Sequence, residues 1–453
     1  MRSGPARSPP ADAARNGGKR SLAVLLVALP WLAVPLSVIA YHGLAPFAVL
    51  LALLGLAVLL DRRGSVWPPL VPLLPFAGLL AWGALSAFWS LDPEVSLQRW
   101  LKLVGHFLLG AVLLAAVSQG LAPKAARAWA TRVALWGGAG ALAVLAAHAL
   151  SGGAFLIALG LTTPHPDAAS VLPATNPAAT VIAVFCGPVG LLVYRRYGAV
   201  TAIAAFTLTA VVVATFSQSL AAKVALAAAL AVGGFVLWRS RAALRGLAVA
   251  VVALVFLLPA LRLVDPAPFS LLRTAAASQG VTLPGSVIQR TYMYDFVLAR
   301  IAERPLLGWG IETSSVLPGG QERVPHPTLD DHEFLPSHPH NSVLEVWVEL
   351  GPVGALGYAA VLWLVVGAIR RHAADRATAA ALAAAATGYV VVGLFAYSIW
   401  SSWWIATGIL ATATAIGMLH SPASACGPQR EKQRPDDETD RGRDAGRPHT
   451  GSP

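Results

Sequence analysis

The chemistry-bearing residues of this chain gather at one junction. Ser337-His338-Pro339-His340-Asn341 ends a long polar interval, and nine residues separate Asn341 from Gly351-Pro352-Val353-Gly354. Ionisable groups beside a bilayer are costly and need a reason. Asn341 is a good helix N-cap, and Ser342-Val343-Leu344-Glu345 reads as a capping box, so a helix starts near Ser342 with His340 just ahead of it. The positive end of that helix disfavours an imidazolium. A neutral imidazole accepts a proton, as a general base must. The same helix end offers free N–H groups to an anion. The alternative is a loop histidine that only hydrogen-bonds backbone. His326, His332 and His338 read as solvated loop residues.

Further candidates lie around it. Arg290 opens a helical pattern upstream, and its planar fork suits a diphosphate. For any one loop arginine the alternative is an exposed surface residue, and Arg262, Arg273, Arg300 and Arg304 are left as such. Lys223, after Ser217-Gln218-Ser219, either snorkels to the interface or faces the interior and binds phosphate. Glu345 and Glu349, one turn apart, read as a polar face at the membrane interface. Their spacing to His340 gives no metal set, so no metal and no cofactor are expected. Gly351, Gly354 and Gly357 recur every three residues, as in closely packed membrane helices, and Pro352 marks a kink or restart. Cys186 and Cys426 lie in an apolar run and a polar tail and do not pair.

The elements that must position these residues are membrane helices. Of 453 residues, 56% are hydrophobic and 12% charged, against roughly 25% charged in soluble domains. Apolar runs such as Leu44–Leu60, Leu70–Trp89, Thr201–Thr215 and Ala243–Leu261 suit a bilayer about 30 Å thick. The net charge of +11 sits in short connections and tails, which speaks for membrane topology rather than nucleic-acid binding. Basic connections at Arg62-Arg63, Lys124–Arg132, Arg195-Arg196, Arg239–Arg245 and Arg370–Arg376 alternate with poorer ones. The expected fold is therefore all-α, a polytopic bundle of about twelve transmembrane helices with both termini inside.

This divides the chain into a cytoplasmic tail (1–20), an N-terminal bundle of about nine helices (21–261), an outer loop (262–341), about three further helices (342–420) and a disordered cytoplasmic tail (421–453). The outer loop is too long for a plain connection. Within it, Gln289–Arg304 reads as a helix with Tyr294, Val297 and Ile301 on one face, ended by Pro305. Leu307-Gly308-Trp309-Gly310 reads as a turn. Paired interrupted helices, which would favour a transporter or flippase, are not evident.

His340-Asn341, nine residues, then Gly351-Pro352-Val353-Gly354 resembles the signature of the O-antigen ligase superfamily, which includes O-antigen polymerases. Arg290 followed by Arg304-Pro305-Leu306-Leu307-Gly308-Trp309-Gly310 and Asn176-Pro177-Ala178-Ala179 are also similar. Ala355 departs from the ligase pattern. Ser217-Gln218-Ser219 lacks the family's arginine, which leaves Lys223 as a candidate stand-in. The resemblance implies glycosyl transfer without a metal at the periplasmic face of a bacterial inner membrane. It implies a donor glycan on undecaprenyl diphosphate and an acceptor hydroxyl on lipid A–core or, for a polysaccharide polymerase, on a second glycan. It gives His340 and Arg290 catalytic roles and Lys223 and Asn341 substrate contacts. Gly308, Gly310, Gly351 and Gly354 are then structural, and membrane lipids are partners.

Overall fold

Hydrophobic runs become helices because a bilayer leaves backbone groups no partner but their own chain. In the computed structural model, residues 22, 24–61, 74–119, 124–163, 165, 168–326, 329 and 332–419 are described. Both tails, Arg62-Arg63 and Cys426 lie outside them. The longer helices are α1 (Ala33–Ala40), α2 (Leu44–Asp61), α3 (Leu74–Ser86), α4 (Pro93–Gln119), α5 (Lys124–Leu150), α6 (Asn176–Tyr197), α7 (Ala199–Phe216) and α8 (Leu220–Ala260). They continue with α9 (Ser270–Ser278), α10 (Gly285–Glu303), α11 (Ser342–His372), α12 (Arg376–Phe395) and α13 (Ser402–Leu419). The fold is an all-α polytopic membrane bundle.

Among the described residues, nine helical stretches are long and apolar enough to cross a membrane. Two are about double length for a single crossing. Val24–Asp61 covers 38 residues and is interrupted by the 3-10 turn Tyr41–Gly43. Leu220–Leu263 covers 44 and breaks at Arg239, whose φ of −128° and ψ of 51° are non-helical. The sequence-based number of about twelve divides both stretches and adds the run Leu70–Trp89. Among the described residues of that run, 74–89, the helix covers Leu74–Ser86, shorter than a full span.

Packing inside the bundle depends on close backbone approach. A Cβ on Gly187 of α6 would lie 2.4 Å from the Ala381 carbonyl of α12, and one on Gly388 of α12 would lie 2.8 Å from the Ala183 carbonyl of α6. Small residues permit such crossings where no hydrophobic effect drives helices together. Large apolar side chains such as Leu50, Val200 and Ile203 stay exposed on the outside of the bundle, where lipid would cover them.

The long interval between α8 and α11 is folded. It holds α9, α10, a 3-10 turn at Ser314–Val316 and an isolated bridge between Arg323 and Glu333. Met293, Tyr294, Val297 and Ile301 of α10 pack with Trp309, Leu317 and Leu335 onto Leu344 and Val348 of α11. The expected apolar face of α10 is thus its buried face, and the loop rests on the first turns of α11.

Candidate active site

The site begins with a break in α11. Pro352 has no N–H to offer the Val348 carbonyl, and Gly351 sits at φ 62°, ψ −160°, a region essentially reserved for glycine. The carbonyls freed by this break are taken by other elements. Trp309 N–H donates to Val348 O at 2.9 Å, Gly310 N–H to Glu349 O at 2.9 Å, and the Trp82 indole to Leu350 O at 2.8 Å. The fit leaves no room for side chains. A Cβ on Gly308 would lie 2.5 Å from the Glu349 carbonyl, and one on Gly351 would lie 2.5 Å from the Leu306 carbonyl. On Gly310 it would meet Ser90, and on Gly354 it would meet Leu350 Cβ at 2.3 Å. The two glycine motifs are halves of one joint.

At the other end of this short helical segment, Asn341 caps α11 with its Oδ1, which accepts from the N–H groups of Val343 and Leu344 at 3.1 Å each. His340, just before it, adopts φ 50°, a left-handed conformation that non-glycine residues rarely hold. Its Nδ1 donates to the carbonyl of Ala396 at the end of α12. A carbonyl can only accept, so Nδ1 carries the proton and Nε2 keeps its lone pair. Burial, together with the nearby Arg290 charge, holds His340 below the ordinary histidine pKa despite the Ala396 bond. The ring is therefore neutral near pH 7.

His338 differs. Its ring centroid lies 4.2 Å from that of His340. Its Nδ1 faces the Ser337 hydroxyl at 3.0 Å and its Nε2 the Ala396 carbonyl at 3.4 Å, so both nitrogens are engaged. Burial and its neighbour lower its pKa to about 4.

Arg290 lies one turn before Tyr294 on α10. The Tyr294 hydroxyl reaches the carbonyls of His340 and Leu394, each at 3.4 Å, and the side chain of Asn341. Arg290 is close enough for its charge to act on Tyr294, His338 and His340. Its own bonding is sparse: one bond to the Ser286 carbonyl at 3.2 Å, with Nε buried and unpartnered. The other loop arginines are engaged. Arg273 pairs with Asp295 at 3.0 Å, Arg300 pairs with Glu303 at 3.0 Å, and Arg304 stacks 4.1 Å over Trp309.

Glu345 and Glu349 correct two expectations. They are not an interfacial polar face, being each 1% exposed, and Glu345 does not close a capping box. Glu345 accepts from Ile399 N–H at 2.8 Å. Glu349 accepts from Glu312 N–H at 2.7 Å, the Ser314 hydroxyl at 2.5 Å and the Trp400 indole at 2.6 Å. Arg99 of α4 pairs with Glu312 and donates to the Trp400 carbonyl at 3.1 Å. The turn 396–401, which supplies the carbonyl for His340, is thereby clamped from three sides. Among the described residues, no group of three His, Cys, Asp or Glu could hold a metal ion.

Lys223 occupies the first turn of α8, where the Ser219 side chain caps the helix by accepting from Ala222 N–H at 3.1 Å. It is half-buried, and it bonds to neither His340 nor Arg290. Asn176, which opens α6, has a buried Oδ1 without a partner.

Residues 202–359, which contain the whole loop and the joint, match the family model described as O-antigen ligase. Three Rickettsia proteins, each named "Putative polysaccharide ligase", are also similar. Those of R. conorii and R. prowazekii are 29% identical and that of R. felis 27%, each over 124 residues. The matched stretch is 27% of this chain and 30% of each relative, so the likeness spans under a third of either. The likeness to O-antigen ligases is thus carried by residues 202–359, the stretch that holds His340, Arg290 and both glycine motifs.

Proposed function

We propose that this protein is a ligase-like membrane glycosyltransferase. It moves a glycan from undecaprenyl diphosphate to a sugar hydroxyl of lipid A–core, at the periplasmic face of a bacterial inner membrane. The observation that carries this reading is the placement of His340: its Nδ1 is committed to Ala396, which leaves Nε2 to take a proton, beside Arg290 with its buried, unpartnered Nε.

The acceptor hydroxyl oxygen bonds to the anomeric carbon of the donor glycan, and its proton passes to His340 Nε2. The bond from that carbon to the diphosphate oxygen breaks, and the electron pair leaves with undecaprenyl diphosphate. Arg290 binds the diphosphate and stabilises the charge that grows on it. We assign Lys223 as a second cation for the donor and the N–H groups beyond Asn341 as further anion contacts. The step proceeds without a metal ion, and the bonds already held by Glu345 and Glu349 support this.

Deleting the gene and resolving surface glycans on a gel tests the reading. Lipid A–core without a polymer ladder, with polymer retained on the prenyl carrier, is expected. Core capped by a single repeat would assign a polymerase instead, and unchanged glycans would overturn both. Sidedness is tested by Ser315→Cys, at an exposed loop position, on a background lacking Cys186 and Cys426. A membrane-impermeant thiol reagent should label it without permeabilising the inner membrane.

A further inference from the structure

A second feature lies away from this site. Helices α5, α6 and α7 enclose a cleft of about 830 Å³, walled by apolar side chains including Leu135, Ile182, Phe185 and Phe206. Arg132 and Arg196 also line it. Each guanidinium lies over an aromatic ring, Arg132 at 5.8 Å from Trp129 and Arg196 at 5.6 Å from Tyr197. Trp and Tyr beside arginine are characteristic of the headgroup level of a bilayer. The adjacent Arg195 is tied to Asp375 and Thr378 at 3.1 and 2.7 Å, while both cleft arginines are exposed.

We propose that this cleft binds an anionic phospholipid, an acyl chain against its apolar wall and the phosphate on Arg132 and Arg196. A hydrocarbon slot that ends in two cations complements one class of molecule, an acyl chain ending in an anion. The donor diphosphate of the transfer site is a different ligand at a different depth. The Tyr397 hydroxyl, in the turn that holds His340, reaches Thr180 near the start of α6. Arg196 lies sixteen positions further along that helix, about 24 Å along its axis. On the topology read from the basic connections, the cleft arginines face the cytoplasmic leaflet, where anionic lipids concentrate.

The test uses the full-length protein reconstituted in phosphatidylcholine vesicles containing a minor fraction of dioleoyl-phosphatidylglycerol, with retained lipid counted by native mass spectrometry. The wild type is expected to retain phosphatidylglycerol selectively. Arg132→Ala with Arg196→Ala should reduce that preference by about 25-fold, about fivefold for each arginine. Removing two arginines from another basic connection, Arg241→Ala with Arg245→Ala, should leave it unchanged. A third variant, Gly138→Phe, fills the cleft with the arginines intact. Gly138 lines the cleft, and a Cβ there meets nothing within 4 Å, so the backbone leaves room for a side chain to start at that position. It should lose the lipid as the arginine pair does. Equal retention of phosphatidylcholine by the wild type, an equal loss in the Arg241/Arg245 variant, or full retention by Gly138→Phe would each overturn the proposal.

Discussion

The Nδ1 of His340 donates to the main-chain carbonyl of Ala396, so the C-terminal end of α12 sets the tautomer of a histidine at the N-terminal end of α11. This has a pH signature. A base must be unprotonated, and burial with the Arg290 charge lowers the pKa of His340 from 6.5. The acid limb of kcat/KM for transfer should therefore lie below pH 6.5, where an ordinary histidine titrates. Arg290→Ala removes one of the lowering influences, so the acid limb of its residual activity should move to higher pH. A wild-type limb above 6.5 would contradict the assignment.

Charge and geometry separate at Arg290. Arg290→Lys keeps the charge and should leave the acid limb near its wild-type position. It loses the planar fork and should raise KM for the diphosphate-linked donor by about tenfold or more. Lys223→Ala should weaken donor use if its ammonium meets the diphosphate. An unchanged donor KM would remove it from the site.

The joint between α11 and the loop is expected to resist any side chain at Gly351. Gly351→Ala forces alanine into a glycine-only conformation and drives its Cβ against the Leu306 carbonyl. The conformational part alone costs about 1–3 kcal/mol. Gly357→Ala, whose Cβ would meet Leu79 at 3.3 Å or more, should shift stability by less than about 1 kcal/mol. Thermal unfolding of both variants in one detergent checks the contrast.

Glu349→Ala should be severe for stability. It removes the acceptor for Glu312 N–H, the Ser314 hydroxyl and the Trp400 indole in a buried position. Leaving such donors unsatisfied costs about 1–3 kcal/mol each. A loss of under about 1 kcal/mol on thermal unfolding would mean that the 396–401 turn is held by other contacts.

Much of this architecture was legible from residue order. Hydrophobic runs marked the helices because length and polarity alone decide what a bilayer accepts. Asn341 announced a helix start because N-capping is local chemistry, and α10 declared its buried face through the spacing of Tyr294, Val297 and Ile301. The partners of Glu345 and Glu349 were not legible. Their donors come from Glu312, Ser314 and the 399–400 turn, which only the fold brings to α11. Two carboxylates one turn apart in an apolar helix were themselves the signal, since such groups persist there only when fully partnered. Arg99 was missed for the same reason. Nothing near it in sequence hints at Glu312 or Trp400.

The central claim is that His340 takes the acceptor proton through a free Nε2. Its most direct test is single-turnover transfer by purified protein, comparing His340→Ala with His338→Ala at equal donor, acceptor and folded protein. Loss of a general base lowers the rate by about 10²–10⁴. The account predicts that loss for His340→Ala and a far smaller effect for His338→Ala. Wild-type transfer by His340→Ala, or an exchange of the two effects, would contradict it.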